Sequence, residues 1–290
     1  MKTIGIDIGG TQLRVAIFDE EGKLLDKFIT PNDSSVGAEK NADKLIQYIT
    51  SQNYQYKGIG IGCPGPINIR LGKILNPPNL YGWDGFEIVK YFEEKTHIKT
   101  LLNNDANVAG LAEAVKGAGK GYESVFYITI STGIGGAYIY KGDIICGANS
   151  TAAELYNLIV NEDTYSHNGV NAGAINEQCS GSALYRIATE RYQRKVEPKE
   201  LFELYYKRDA TAVDIIETCV ENMAKAVANV ACIVDPDIFV VGGSVALYNP
   251  GLIGMIAEKA KKYVICPQFL RMQMAEFEGD AGLIGAALLV

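Results

Sequence analysis

Two glycine-rich turns, each lying between two apolar strands, most constrain how this chain can fold. The first reads GIDIGGT over residues 5–11, and the second reads ISTGIGG over residues 130–136. Glycines let backbone N–H groups close around a phosphate, while Thr11 and Thr132 can add hydroxyl donors and Asp7 can face a phosphate-bound magnesium ion. Each turn alone could instead be a tight β-hairpin, since glycine pairs serve many turns. The presence of two such loops favours a nucleotide held between two domains.

Length and charge narrow the class of protein. The chain has 290 residues, of which 48% are hydrophobic and 21% charged, so it is an ordinary globular protein with room for two domains. Its net charge of −7 argues against a nucleic-acid partner, because no basic surplus exists to displace counterions from phosphates. The apolar runs at 238–241 and 283–290 are too short to span a bilayer, and the first residues lack the apolar stretch of a signal peptide. We therefore expect no membrane association and a cytoplasmic location.

The six cysteines are spread along the chain without a C-x-x-C pair, and the two histidines are His97 and His167. This spacing supports neither a disulfide framework nor a compact zinc site. We expect the cysteines to be buried, reduced thiols.

The same order of predicted elements occurs in both halves of the chain, with strand meanders first and helices after them. In the first half the predicted strands are 3–8, 13–18, 24–29, 58–62 and 99–103, and the predicted helices are 38–52, 86–96 and one from 105 to about 116. In the second half the predicted strands are 124–130, 136–140, 237–241 and 272–276, the predicted helices are 182–194, 198–207, 211–234, 250–263 and 281–289, and residues 146–178 are expected to be rich in loops.

This repetition predicts two α/β domains on one plan, residues 1–117 and 118–280, with a ligand cleft between them. The boundary is placed at residues 117–121, where three glycines occur within five residues. The C-terminal helix within 281–290 is expected to pack back on the first domain.

Several polar residues are candidates for chemistry. Asp105 follows a strand end directly after Asn104, where a carboxylate can accept a proton from a substrate hydroxyl and the amide can bind a polyol. Both residue types are also common helix N-caps, so a structural role is the alternative. Asn79 follows two prolines and can be either a ligand contact or a turn former. Glu154 and Glu177 lie in a stretch that resembles a site-lining loop more than a solvated face.

Taken together, these segments resemble the ROK group of bacterial sugar kinases and sugar-responsive repressors, which belongs to the two-domain actin-like ATPase (ribonuclease H-like) α/β fold. The matching segments occur in family order over nearly the whole chain. They are GIDIGGT (5–11), GCPGP (62–66), NLYGW (79–83), NNDANVAG (103–110), STGIGG (131–136), CSGSAL (179–184) and GG (242–243).

The resemblance implies a role for each candidate residue. Asp105 would be the base facing a hexose 6-hydroxyl, and other sugar hydroxyls would be held by Asn79, Asn104, Glu154 and Glu177. ATP and Mg²⁺ would be the cofactors. Their expected contacts are Asp7 near magnesium, Gly9, Gly10, Thr11, Thr132 and Gly133 around the phosphates, and Gly242 and Gly243 against the adenosine. The family also suggests a homodimer.

One departure from the family pattern concerns zinc. After the glutamate that matches Glu154, the family usually has a glycine–histidine pair whose histidine binds zinc, and then a cysteine-rich loop. Here the pair is Tyr156 and Asn157, residues 168–176 contain no cysteine, and His167 is the only nearby histidine. We therefore expect no structural zinc. Asn157 becomes a candidate sugar contact at the C1/C2 end, where a loop without metal could admit a substituent on O1.

Three classes of function remain open at this point. The leading one is an ATP-dependent hexose kinase of the glucokinase or β-glucoside kinase type, with N-acetylmannosamine kinase or fructokinase as alternatives. A sugar-sensing repressor would add an N-terminal helix-turn-helix, whereas this sequence starts at the phosphate-loop strand. A non-kinase ATPase of the actin-like fold would not need the predicted sugar-binding residues.

Overall fold

The computed structural model describes residues 1–290, in which twelve strands and ten α-helices are assigned. The strands are β1 (Lys2–Ile8), β2 (Gln12–Phe18), β3 (Leu24–Pro31), β4 (Tyr56–Cys63), β5 (Ile67–Asn68), β6 (Lys73–Ile74), β7 (Thr100–Asn104), β8 (Ser124–Ile130), β9 (Ile134–Tyr140), β10 (Asp143–Ile144), β11 (Ile238–Gly242) and β12 (Met272–Met274). The helices are α1 (Gly37–Ser51), α2 (Ile88–Thr96), α3 (Asp105–Val115), α4 (Ile175–Cys179), α5 (Gly181–Tyr192), α6 (Pro198–Tyr206), α7 (Ala210–Val234), α8 (Ser244–Tyr248), α9 (Gly251–Ala260) and α10 (Ala281–Ala287).

The chain divides into two compact units. The first unit comprises Met1–Val115, Gly147–Ser150 and Gly279–Val290, and its sheet has the strand order β3-β2-β1-β4-β7. The pairs β1–β2 and β2–β3 are antiparallel, whereas β1–β4 and β4–β7 are parallel. The carboxyl ends of β1, β4 and β7 therefore lie at one edge of this sheet, which is where ligands of such sheets bind.

Both faces of the first sheet are covered. On one face the fully buried Ile4 and Ile6 of β1 belong to a core that includes Leu45 of α1. On the other face α10 approaches so closely that a Cβ at Gly60 would lie 1.7 Å from the carbonyl oxygen of Ala286. A glycine is therefore required in β4, because any side chain there would displace the helix. The C-terminal helix is thus an integral part of the first unit.

The second unit comprises Lys116–Cys146 and Thr151–Glu278, with the strand order β10-β9-β8-β11-β12. Again the first connections, β8–β9 and β9–β10, are antiparallel, and β8–β11 and β11–β12 are parallel. Its core is centred on the 25-residue helix α7, whose buried face packs against α4, α6 and α9. No helix in either unit combines the length and the apolar character that crossing a membrane requires.

Two helices are absent from the prediction made on sequence. Helix α4 begins inside residues 146–178, for which the sequence predicts mainly loops, and α8 directly follows Gly243. Each has five residues, which is too short for a 3.6-residue periodicity to be detected. Strand β12 is shorter than the predicted 272–276, because only Phe239–Val241 of β11 pair with it.

Candidate functional site

The first glycine-rich turn connects β1 to β2 in the first unit. The N–H of Gly9 donates to the carbonyl oxygen of Gln12 at 2.9 Å, and Asn32 Nδ2 donates to the carbonyl of Gly9 at 2.8 Å. A Cβ at Gly10 would lie 2.5 Å from the carbonyl oxygen of Asn79, so glycine allows that segment to approach the turn. Gly10 and Thr11 are exposed. The structure therefore places Asn79 directly beside the predicted phosphate loop.

Asp7, at the end of β1, forms an ion pair with Arg14 on β2. Arg14 Nε donates to Asp7 Oδ2 at 2.8 Å and Nη2 donates to the same oxygen, while Nη1 donates to the carbonyl of Gly279 at 2.7 Å. The pairing follows from strand register, since Asp7 and Arg14 are opposite one another in the antiparallel ladder. Because Arg14 engages Oδ2, the second oxygen, Oδ1, is the one available to a ligand.

Asp105 is the first residue of α3 and follows β7. The N–H of Ala106 is shared by Asn104 Oδ1 at 2.9 Å and Asp105 Oδ1 at 2.8 Å, so both residues act as caps of the helix. Asp105 nevertheless remains accessible to solvent. The pKa of Asp105 is raised to about 6, chiefly by desolvation and also by the nearby charge of Asp7, while the hydrogen bond from Ala106 N–H acts to lower it. A carboxylate with this pKa is ionised at neutral pH and still binds a proton readily.

Asn104 has its amide nitrogen beside Gly65, where a Cβ would lie 3.3 Å from Asn104 Nδ2. Its amide oxygen is used in the helix cap, so Nδ2 is the group that can donate to a ligand. The neighbouring Asn103 is buried and accepts hydrogen bonds from the N–H of Asn104 and from Asn107 Nδ2, which gives it a structural role. The first unit therefore presents Asp7, Asn104 and Asp105 at the carboxyl edge of its parallel strands.

The second glycine-rich turn connects β8 to β9 in the second unit. It is fixed to the start of α5, because the N–H groups of Gly181 and Ser182 donate to the carbonyls of Ser131 (2.7 Å) and Thr132 (3.2 Å). Asn176 Oδ1 accepts from the N–H of Ile134 at 3.0 Å on the other side. Thr132 and Gly133 are exposed. The turn is thus fixed by hydrogen bonds on both sides, while its tip is exposed.

A cavity of about 830 Å³ opens beside this turn within the second unit. Its walls come from the turn and from the helices α5, α6 and α8 with the residues next to them. The lining residues are Ser131, Thr132, Gly181, Ser182, Tyr185, Glu197, Pro198, Lys199, Phe202, Glu203, Tyr206, Ser244, Val245, Tyr248 and Asn249. This volume is within the range of cofactor pockets. No local sequence pattern identifies this cavity, because its walls come from segments far apart in the chain.

Gly242 and Gly243, expected against the adenosine, are not among the residues that line the cavity. Gly243 has φ +87°, and a Cβ there would lie 2.4 Å from the carbonyl oxygen of Ile130. This glycine therefore lets the end of β11 pass close to β8. The following residue, Ser244, does reach the cavity, and its Oγ lies 3.1 Å from Ser131 Oγ.

The other predicted sugar-binding residues lie in the second unit. Glu154 is half-buried and precedes the 3₁₀ turn Leu155–Asn157. Asn157 Oδ1 accepts from the N–H of Asn171 at 2.8 Å, so its Nδ2 is the donor left for a ligand. Glu177, in α4, is 8% exposed, and its Oε1 accepts from Asn176 Nδ2 at 3.1 Å. No group of three or more His, Cys, Asp or Glu side chains is arranged to hold a metal ion.

The fold and the two pinned turns define a class: the chain has the two-domain actin-like ATPase fold, with its sheet plan present once in each unit. The sequence profile of the ROK family matches residues 3–290, and the chain belongs to this family.

Comparisons with individual proteins agree with this assignment. The chain is 28% identical over 311 residues to a glucokinase of Thermotoga maritima, covering 100% of this chain and 97% of the relative. It is 28% identical over 289 residues to an N-acetylmannosamine kinase of Escherichia coli, with coverage of 100% and 98%. Among solved structures, a ROK hexokinase from Thermus thermophilus matches with a TM-score of 0.92, 33% identity and coverage of 99% and 97%. A ROK glucokinase from Streptomyces griseus in complex with glucose and AMPPNP matches with a TM-score of 0.81, 28% identity and coverage of 100% and 99%.

Proposed function

We propose that this protein is an ATP-dependent sugar kinase that transfers the γ-phosphoryl group of ATP to the 6-hydroxyl of a hexose, with glucose or a β-glucoside as the favoured acceptor. The observation that carries this proposal is Asp105. It is accessible at the carboxyl edge of the first sheet, lies near Asp7, and has a pKa of about 6. These are the properties that a general base for a hydroxyl needs at neutral pH.

In the proposed reaction, the Asp105 carboxylate takes the proton of the sugar O6. O6 then forms a bond to the γ-phosphorus of ATP, while the bond from that phosphorus to the β–γ bridging oxygen breaks and ADP leaves. Positioning and charge neutralisation supply most of the acceleration in such transfers. The exposed tips of the two turns, at Gly10, Thr11, Thr132 and Gly133, offer the donors for the phosphates.

The cavity of the second unit is the proposed adenosine site. It begins at Ser131 and Thr132 of the phosphate turn and extends to the apolar and aromatic side chains of Phe202, Tyr206 and Tyr248. A base can lie against such a wall while the phosphates reach the turn. The expected adenosine contacts at Gly242 and Gly243 stay a prediction, and this proposal adds the cavity residues that follow them, Ser244 and Tyr248.

Asp7 is the proposed contact of Mg²⁺. Carboxylate oxygen suits this cation, and Arg14 leaves Oδ1 of Asp7 unengaged. When bound, the cation neutralises charge on the ATP phosphates. Arg14 fixes the orientation of the Asp7 carboxylate through Oδ2.

The sugar hydroxyls are assigned to Asn79 and Asn104 of the first unit and to Glu154, Asn157 and Glu177 of the second. Asn157 can offer only its Nδ2 group, because Oδ1 is used by Asn171. A single amide donor in place of a metal-bound imidazole supports an acceptor with a substituent on O1, such as cellobiose.

The resemblance to an N-acetylmannosamine kinase makes that sugar the second candidate acceptor. Release of ADP, measured with glucose, cellobiose, N-acetylmannosamine, fructose and mannose at matched concentrations, distinguishes the candidates. We expect the highest kcat/KM for glucose or cellobiose. A clearly higher kcat/KM for N-acetylmannosamine would reassign the acceptor, and ADP release that no sugar stimulates would refute the kinase proposal. We also propose a homodimer, which light scattering after gel filtration tests as a mass twice that of the chain.

A further inference from the structure

Residues 161–173, here called the Tyr165 loop, connect the 3₁₀ turn to α4 within the second unit. The neck of the loop is closed by backbone hydrogen bonds, from the N–H of Val160 to the carbonyl of Gly173 at 2.9 Å and from Ile175 to Leu158 at 2.8 Å. An antiparallel bridge joins Ile159 and Ala174 in the same place. A loop with such a neck is a compact unit that can be held or released as a whole.

Arg186 of α5 contacts this loop and α4 at the same time. Its guanidinium lies 3.7 Å from the centroid of the Tyr165 ring, and its Nη2 donates to the carbonyl oxygen of Glu177 at 2.8 Å. Its Nη1 lies 3.6 Å from Glu190 Oε2 on the same helix. The Arg186 side chain is only 20% exposed, so these contacts are made largely out of water, where they are stronger.

The chemistry of the side chain explains how one residue can do both. A guanidinium is flat, so it can lie face to face with an aromatic ring while its edge donates hydrogen bonds. The carbonyl of Glu177 is in the last turn of the five-residue helix α4 and has no later helical turn to satisfy it. Arg186 therefore links the position of Glu177 to the position of the loop.

We propose that Arg186 and Tyr165 form a clasp that holds the Tyr165 loop closed and positions Glu177 for the sugar. This inference rests on the proposed function in one respect, namely that Glu177 holds a sugar hydroxyl. Arg186 acts through Glu177 and is a positioning residue. The phosphate turn is fixed to α4 by a separate hydrogen bond, which Ile134 N–H donates to Asn176 Oδ1 and which involves neither Arg186 nor Tyr165. We therefore expect the clasp to govern sugar binding and to leave ATP binding unchanged.

The test uses steady-state kinetics of the full chain with glucose and ATP varied separately. In Tyr165→Leu and in Arg186→Gln, we expect the KM for sugar to rise by about 3- to 30-fold, the range that a partly desolvated cation–π contact corresponds to. The KM for ATP, and kcat at saturating sugar, should stay within about twofold of the wild type by the same reasoning. The double variant should be no worse than the more affected single variant, because both changes break the same contact between Tyr165 and Arg186.

Two matched variants serve as controls. Tyr165→Phe keeps the ring and should keep the wild-type KM for sugar. Arg191→Gln removes another arginine of α5, which pairs with Asp214 at 2.9 Å and not with Glu177. This variant should also keep the wild-type KM for sugar.

Several outcomes overturn the clasp. It is wrong if the sugar KM is unchanged in both single variants, if their effects add fully in the double variant, or if the KM for ATP rises equally. If the KM for sugar rises in Glu177→Gln but stays at the wild-type value in Arg186→Gln, the clasp is wrong and the sugar role of Glu177 is retained. Sugar-independent ADP release by the wild type overturns the proposed function itself, before any variant is compared.

Discussion

Replacing Asp105 by asparagine tests the central assignment of this structure. Asparagine has nearly the same shape, and its Oδ1 can still accept the hydrogen bond that Ala106 N–H donates at 2.8 Å. The change therefore removes the proton acceptor and keeps the helix cap. Loss of a general base lowers turnover by about 10²–10⁴-fold. We expect a fall of this size in kcat for sugar phosphorylation, with a smaller change in the KM for ATP.

The pKa of Asp105 fixes how wild-type activity depends on pH. With a pKa of about 6, the carboxylate is the major form at pH 7.5 and the minor form at pH 5. Because the base works only when it is ionised, kcat/KM for sugar should fall about tenfold per unit as the pH drops below 6. The residual activity of Asp105→Asn should not show this fall at low pH. A rate profile measured from pH 5 to pH 8 in a constant-ionic-strength buffer compares the two proteins.

Folding stability provides the control for this variant. The pKa of Asp105 is higher in the folded protein than the ordinary value of 3.8, so the folded state binds this proton more tightly than the unfolded state does. Stability from this group is therefore greatest below pH 4 and is lost as the pH rises through 6. Removing the charge should leave the melting temperature at pH 7.5 equal to or above that of the wild type.

The exposed residue Asp143 of β10 gives a matched substitution, since Asp143→Asn should change neither turnover nor the pH profile. Wild-type turnover in Asp105→Asn, or a low-pH limb that persists in this variant, would refute the assignment of the base.

Three further predictions address other parts of the molecule. Gly60→Ala should lower the free energy of unfolding by about 3 kcal/mol, because its Cβ would lie 1.7 Å from the carbonyl oxygen of Ala286. Gly254→Ala in α9, where a Cβ would have nothing within 4 Å, should raise the free energy of unfolding by about 0.5–1 kcal/mol. Urea unfolding measures both variants, and equal effects would contradict the packing argument. Tyr248→Ala should raise the KM for ATP by about tenfold and leave the sugar KM unchanged if the cavity holds the base, and the reverse pattern would place the sugar there. Elemental analysis of the purified protein should find no zinc in stoichiometric amount, and one tightly held zinc per chain would disprove this expectation.

Much of the fold can be predicted from the sequence because its strands are strongly apolar and its turns carry glycine. The parallel strands are buried on both faces, so residues such as Ile59 and Ile61 form continuous apolar runs that few other structures require. The two glycine-rich turns are identifiable because glycines cluster in them, and at Gly10 the glycine allows the Asn79 segment to approach.

The remaining features depend on contacts between distant segments, which no local pattern contains. Arg186 resembles a solvated arginine of an amphipathic helix, and only the folded chain brings it to Tyr165 and to the carbonyl of Glu177. Likewise, Arg14 is an ordinary strand residue until the antiparallel register places it opposite Asp7. Helix α4, which carries Glu177, is too short to leave a periodic signal.

The way α10 completes the first unit has a consequence for how the protein is made. Its partner strands, β1 and β4, leave the ribosome before the second unit is synthesised, whereas α10 follows that whole unit in the chain. Until then α3 covers only the part of this face near Gly62, and the part around Gly5 and Gly60 is open to other proteins in the cell. A chain that terminates before Ala281 would therefore contain every residue of the second unit, while its first unit would lack the helix against Gly5 and Gly60 and would be a preferred target of proteases.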